Sequence, residues 1–324
     1  MRKAYLELHL AVFLFGFTAI LGKVISLPAV SLVWWRVIIT SISLLFIVGV
    51  MRTVREVQMR YILRFMGIGC LVALHWIAFF GSIKASNASI ALVAFATTSF
   101  FTSLIEPLIL RTRTVGYEVF LGVLIIPAMI LVVQGIEVQQ RIGLWLGIVS
   151  AILASIFSSY NKLYITRANP LQITFFEITS AGLFISVVLV IVHTLVPSDL
   201  TLLYGIDFNL YLPSGMDWMY LGILALVCTT LAYVLAIKSL QHLSAFATNL
   251  TINLEPVYGI VLAWLLLKEN KELTPGFYLG VLIIIGVVFL YPFIKWRNRR
   301  TLHTNKQGGT EEPTSRKAAN DENA

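Results

Sequence analysis

Apolar runs long enough to cross a bilayer core about 30 Å thick alternate along this chain with short polar breaks. Reading runs against breaks predicts ten membrane spans, near residues 7–25, 31–50, 63–83, 87–110, 116–135, 143–165, 171–195, 216–237, 244–267 and 275–294. Polar side chains also fall inside the runs. The stretch TNLTINLEPVYGIVLAWLLLKE, residues 248–269, sets Glu255 and Pro256 between two apolar halves of one predicted span.

Composition excludes a water-soluble fold: 58% of residues are hydrophobic and 12% charged, with mean hydropathy +0.86, against about 45–50% and about 25% in soluble domains. The expectation is an all-α polytopic membrane protein. The first run has a basic flank but no small-x-small cleavage site after it, so it reads as a retained span. Cys70 and Cys228 lie within apolar runs and act there as small hydrophobes, implying neither a disulfide nor a metal framework. The sequons at 87–89 and 249–251 are discounted, the second because it is intramembrane.

The net charge of +8 does not read as a nucleic-acid surface, because its distribution encodes orientation. With the N-terminus cytoplasmic, fifteen Lys and Arg residues up to Arg300 face the cytoplasm, against Lys84, Arg141, Lys268 and Lys271 opposite. Both termini are thus expected in the cytoplasm of a cell that holds the protein in its inner membrane. The loop 196–215 is expected outside, and 298–324 forms a disordered cytoplasmic tail.

The chain also repeats itself. LGVLII occurs at 121–126 and at 279–284, SIKAS at 82–86 answers AIKSL at 236–240, VWWR at 33–36 answers TFFE at 174–177, and GKVI at 22–25 answers NKLYI at 161–165. The order is the same in both halves, which divide the chain into a first repeat, 1–138, and a second, 139–297. Five spans per repeat make the second enter the membrane in the opposite direction. Such a 5+5 inverted-topology repeat builds alternating-access transporters, since exchanging the halves gives two conformations of similar energy.

The segments FLFGFTAILGKVI, LVWWRVIITSISLL, SIKASNASIALVAFATTSFF and LAIKSLQHLSAFATNLTINLEPVYGIVLAWLLLKE resemble the EamA family of the drug/metabolite transporter superfamily, over roughly residues 8–294. The resemblance implies a central cavity lined by spans 1, 3, 4, 6, 8 and 9, and transport of small organic solutes, often outward. The chain departs from the pattern at LILRTRTVGYE, where Arg-Thr-Arg stands in place of a closing Gly-Glu pair.

Candidate binding residues are His75, Trp76 and Phe79 in span 3, Tyr160 and Asn161 in span 6, Thr229 and Tyr233 in span 8, and Asn249 and Asn253 in span 9. Arg36 and Glu177 are pseudo-equivalent ionisable residues one to two turns into their helices, and either is a functional candidate or, for Arg36, a side chain that snorkels. Ser155, Ser159 and Lys162 lie at helical spacing and suit close packing. Glu106 is expected to pair with Arg111 or Arg113. Glu255, beside a kink expected at Pro256, is a candidate for gaining and losing a proton during transport, or else a capping group.

No H-E-x-x-H motif occurs and the histidines are scattered, so no catalytic residue, metal or cofactor is expected and an enzyme is excluded. A non-transporting membrane scaffold or sensor is the alternative from another class, although no soluble domain is evident to carry a signal. The expected partners are a small-molecule substrate, the lipid bilayer and protons; no feature sets an oligomeric state. Aromatic rings, amides and few fixed cations suit export of amino acids or related neutral or zwitterionic compounds, with import or exchange of another metabolite as the alternative. Phosphate esters would want more Arg and Lys in the cavity than Lys23, Arg36 and Lys84 supply.

Overall fold

The structure, a computed structural model, describes residues 2–49, 53, 55–133, 141–195, 202–203, 206–255, 257–259, 262 and 275–308. Helices α1 (Arg2–Val24), α2 (Ala29–Val48) and α3 (Met59–Ala85) are followed by α4 (Ala88–Ala96), α5 (Thr98–Leu110) and α6 (Gly116–Val133). The second half brings α7 (Arg141–Tyr164), α8 (Pro170–Leu195), α9 (Asp217–Ala225), α10 (Ala232–Ser239), α11 (Ala245–Ile252) and α12 (Pro275–Gly308). Among the described residues, seven helices or helix pairs are long and apolar enough to cross a membrane, and two shorter apolar stretches, Gly116–Ala128 and Tyr278–Tyr291, lie in α6 and α12. This is a multi-pass helical membrane protein.

Local chemistry sets the ends. Gly49, at φ 64°, closes α2 in the left-handed region that a glycine adopts without penalty. Asn87 accepts a hydrogen bond from the Ile90 amide at 2.8 Å to cap α4, and Ser244 accepts from the Ala247 amide at 3.1 Å to cap α11. Helix α12 runs to Gly308, past the predicted span and into the stretch expected as tail. Residues 309–324 lie outside the described residues.

Three predicted spans are not simple helices. The fourth is broken at Thr97, which joins α4 to α5. The eighth changes pitch between α9 and α10 through a π-helical stretch, Leu226–Leu231. The ninth turns at Asn253 and Leu254 after α11. The Pro256 expected to kink it lies outside the described residues. The loop between α8 and α9 holds an unpredicted two-residue pairing, β1 (Leu202–Leu203) with β2 (Ile206–Asp207). That loop is tied to α2: Ser31 donates to the Asn209 carbonyl at 2.8 Å and Trp35 to the Tyr211 carbonyl at 2.9 Å.

Packing crosses between the halves. Helix α1 lies against α10, α2 against α8, α3 against α7 and α8, α5 against α11, and α6 against α12. Glycines let backbones approach: a side chain at Gly69 would meet the Glu177 carbonyl and Ser180 Oγ of α8. Ser155 of α7 donates to the Thr98 carbonyl at 2.9 Å and accepts from Thr102 at 3.1 Å, which is the knitting role expected of it. Large apolar side chains also cover the outside, Phe46, Leu108 and Leu195 among them, as contact with lipid requires.

Candidate functional site

The helices enclose a central cavity with about 730 Å³ of empty space including its mouth. Every span that the family resemblance implicated contributes: α1 through Thr18, α3 through His75, α4 through Phe95, α7 through Asn161, the eighth span through Tyr233 and the ninth through Asn249. Arg36, from α2, joins them and had no place in that implied set.

Arg36 does not snorkel. It is 1% exposed, its guanidinium carbon sits 4.1 Å from the centre of the Trp76 ring and 5.5 Å from that of Phe80, and its Nε donates to Thr229 Oγ1 at 2.6 Å. A desolvated guanidinium over an indole face gains about 2 kcal/mol or more, which helps to offset removal from water. The π-helical stretch presents Thr229: its hydroxyl donates to the Leu224 carbonyl at 2.6 Å, leaving the oxygen's lone pair to Arg36. Among the described residues, Nη1 of Arg36 has no hydrogen-bond partner. Glu255, 4% exposed, lines the same cavity as Arg36.

His75 is held by Ser150 of α7, its Nδ1 lying 3.0 Å from the carbonyl and 2.8 Å from the hydroxyl. The carbonyl can only accept while the hydroxyl can donate or accept, so the roles at Nδ1 follow the tautomer of the ring. The ring stands among Phe79, Phe95 and Phe157, with centroids 6.3, 5.3 and 5.3 Å away. Trp76 and Tyr233 meet edge to face at 5.8 Å on the Arg36 side.

The expected set divides. His75, Trp76, Phe79, Asn161, Tyr233, Asn249, Arg36 and Glu255 line the cavity. Glu177 does not: it is fully buried behind the wall, two turns into α8 as Arg36 is into α2, accepting from Tyr233 at 2.7 Å and Asn161 at 3.3 Å. Thr229 likewise acts through Arg36. Tyr160 stacks on Tyr164, 6.5 Å between centroids, away from the lining. Asn253 donates to Ser99 at 2.9 Å, binding the ninth span to the fourth.

Asn249 is shared: its amide donates to Thr102 at 2.8 Å and Ser158 at 2.7 Å. Glu106 accepts from the amides of Ala245 and Phe246 at 2.9 and 2.7 Å, capping α11, a role that the expected Arg111 or Arg113 pairing did not include. Thr18, Phe95, Phe157 and Ser158 also line the cavity. Reasoning from the sequence missed them because single aromatic and hydroxyl residues in apolar runs carry no periodic signal.

The fold and cavity define a polytopic helical membrane protein with a solute-sized chamber between two halves of its chain. The chain belongs to the EamA-like transporter family, whose model matches residues 2–134 and again 141–293, so it is a transporter of the drug/metabolite type built from two EamA repeats. Among curated proteins none matches. Of the 27 matching chains of solved structures, one described only as "Crystal structure of protein" is similar in fold, with TM-score 0.67 and 14% identity over 92% of this chain and 99% of that one.

Proposed function

We propose that this protein is a secondary transporter that exports amino acids or related neutral or zwitterionic metabolites by alternating access. The observation that carries the reading is that Arg36 and Glu255 both line one cavity with several aromatic rings. The unpartnered Nη1 of Arg36 suits a carboxylate, Glu255 suits an ammonium group, and the rings suit an apolar side chain. Asn161 Oδ1 and Thr18 Oγ1, buried on lining residues without partners, add an acceptor and a hydroxyl.

Ten spans in a 5+5 inverted repeat support the mechanism. Exchanging the halves turns the contact of α1 with α10 into that of α7 with α3, and returns α2–α8, α5–α11 and α6–α12 to themselves. Positive charge supports cytoplasmic termini in the inner membrane. We assign protons as the coupling ion, exchanged at Glu255.

Export is tested in cells and in liposomes. Overexpression should raise resistance to toxic amino-acid analogues and raise extracellular metabolite levels, and purified protein should release a preloaded amino acid. Arg36→Gln should cut that release at least tenfold while the protein still inserts, because an interaction with a charged group carries about 1.5–3 kcal/mol. Greater sensitivity to the analogues would make the protein an importer.

A further inference from the structure

Three arginines converge where the first repeat meets the second. Arg60 and Arg64 extend from the first two turns of α3, and Arg167 from the turn after α7. Their guanidinium carbons lie 4.8, 5.3 and 5.3 Å from the centre of the Tyr61 ring, and that of Arg64 lies 4.8 Å from the Tyr164 ring. The two tyrosines, 6.2 Å apart, join α3 to α7. All three arginines are exposed, and among the described residues no carboxylate lies within ion-pair distance of them.

Left alone, the arrangement is unfavourable. Exposed cation–π contacts contribute little each, while three like charges about one ring repel. The start of a helix also carries positive partial charge, which opposes cations there, and Gln58 supplies no side-chain cap. An anion would offset all of these at once. Beside the cationic stripe runs an apolar one: Met59 and Leu63, one helical turn apart, are 63% and 60% exposed. A charged head and an apolar tail side by side describe an amphiphile.

We propose that this cluster is a binding site for an anionic phospholipid, its phosphate held by Arg60, Arg64 and Arg167 and an acyl chain lying along Met59 and Leu63. Guanidinium groups suit phosphate because their planar forks donate two hydrogen bonds each. A lipid seated there bridges α3 of the first repeat to the end of α7 in the second. The proposal uses none of the cavity residues, so it stands or falls separately from the transported solute.

Titration of the detergent-purified full-length protein with fluorescent phosphatidylglycerol, and with phosphatidylcholine for comparison, tests it. Phosphatidylglycerol should bind more tightly. Arg60→Gln/Arg64→Gln/Arg167→Gln should weaken it on the order of a hundredfold, at the usual increment per cation near an anionic headgroup, whereas Arg113→Gln should not. Met59→Ser/Leu63→Ser should also weaken it. If the triple variant does not fold, Arg167→Gln alone should still cost roughly fivefold. Unchanged affinity in the arginine variants would overturn the site. Inorganic phosphate competing at full strength, with no effect of Met59→Ser/Leu63→Ser, would overturn the lipid in favour of a free phosphate.

Discussion

Arg36 and Glu255 are two charges in a space otherwise walled by rings and amides, and their burial is expensive unless something compensates it. Arg36 is compensated by Trp76 and Thr229. Glu255 lines the same cavity within the electrostatic reach of Arg36. Glu255→Gln keeps the size and most of the hydrogen-bonding capacity but removes titration. It should insert and fold normally yet lose the pH dependence of transport in liposomes; an unchanged pH profile at an unchanged rate would make Glu255 scaffold. His75 and Trp76, named as binding candidates from their place in the third span, do line the cavity. The roles of Asn253 and Tyr160 were not legible in the sequence, because a side chain's neighbour, Ser99 or Tyr164, decides its role and leaves no mark on local spacing.

Among the elements, the fourth and ninth spans carry the irregular geometry, and they are bonded along their lengths. Glu106 caps the start of α11, Thr102 meets Asn249, and Ser99 meets Asn253, so successive contacts step up one helix and down the other. The last contact joins the two breaks, at Thr97 and at Asn253–Leu254. Pro256 gave warning of an irregular ninth span. The break in the fourth has no proline; there Thr97, Thr98 and Ser99 each donate to the carbonyl three residues back and compete with the helix ladder. In the same way Thr229 and Thr230, donating five residues back, accompany the π-helical stretch. Glu106→Ala would leave two amides at the start of α11 without their acceptors. With hydrogen bonds to a charged group near 1.5–3 kcal/mol each, it should cost roughly 3 kcal/mol or more and lower the midpoint of thermal unfolding in detergent by several degrees. An unchanged midpoint would show that Ser244 and solvent cap the helix unaided.

For the whole molecule, repeated words such as LGVLII announced two halves, and the family match over both repeats bears that out. What repetition did not disclose is that the two ends of the bundle close with different chemistry. At one end Ser26 donates to Asp217 through both its amide and its hydroxyl, and Lys84 donates to the Ile25 carbonyl. At the other, Lys238 pairs with Glu7 at 2.7 Å, Lys162 donates to the Leu240 carbonyl at 2.6 Å, and arginines stack on Tyr61 and Tyr164. Under the proposed topology, the end rich in Arg and Lys would be the cytoplasmic one. Ser214, exposed just before α9 at the opposite end, is a probe of this orientation. In a background with Cys70 and Cys228 replaced by alanine, Ser214→Cys should react with a membrane-impermeant maleimide added to intact cells, and Arg113→Cys should react only after lysis. The reverse pattern would place both termini outside and exchange the identities of the two ends, turning the Ser26–Asp217 closure into the cytoplasmic one.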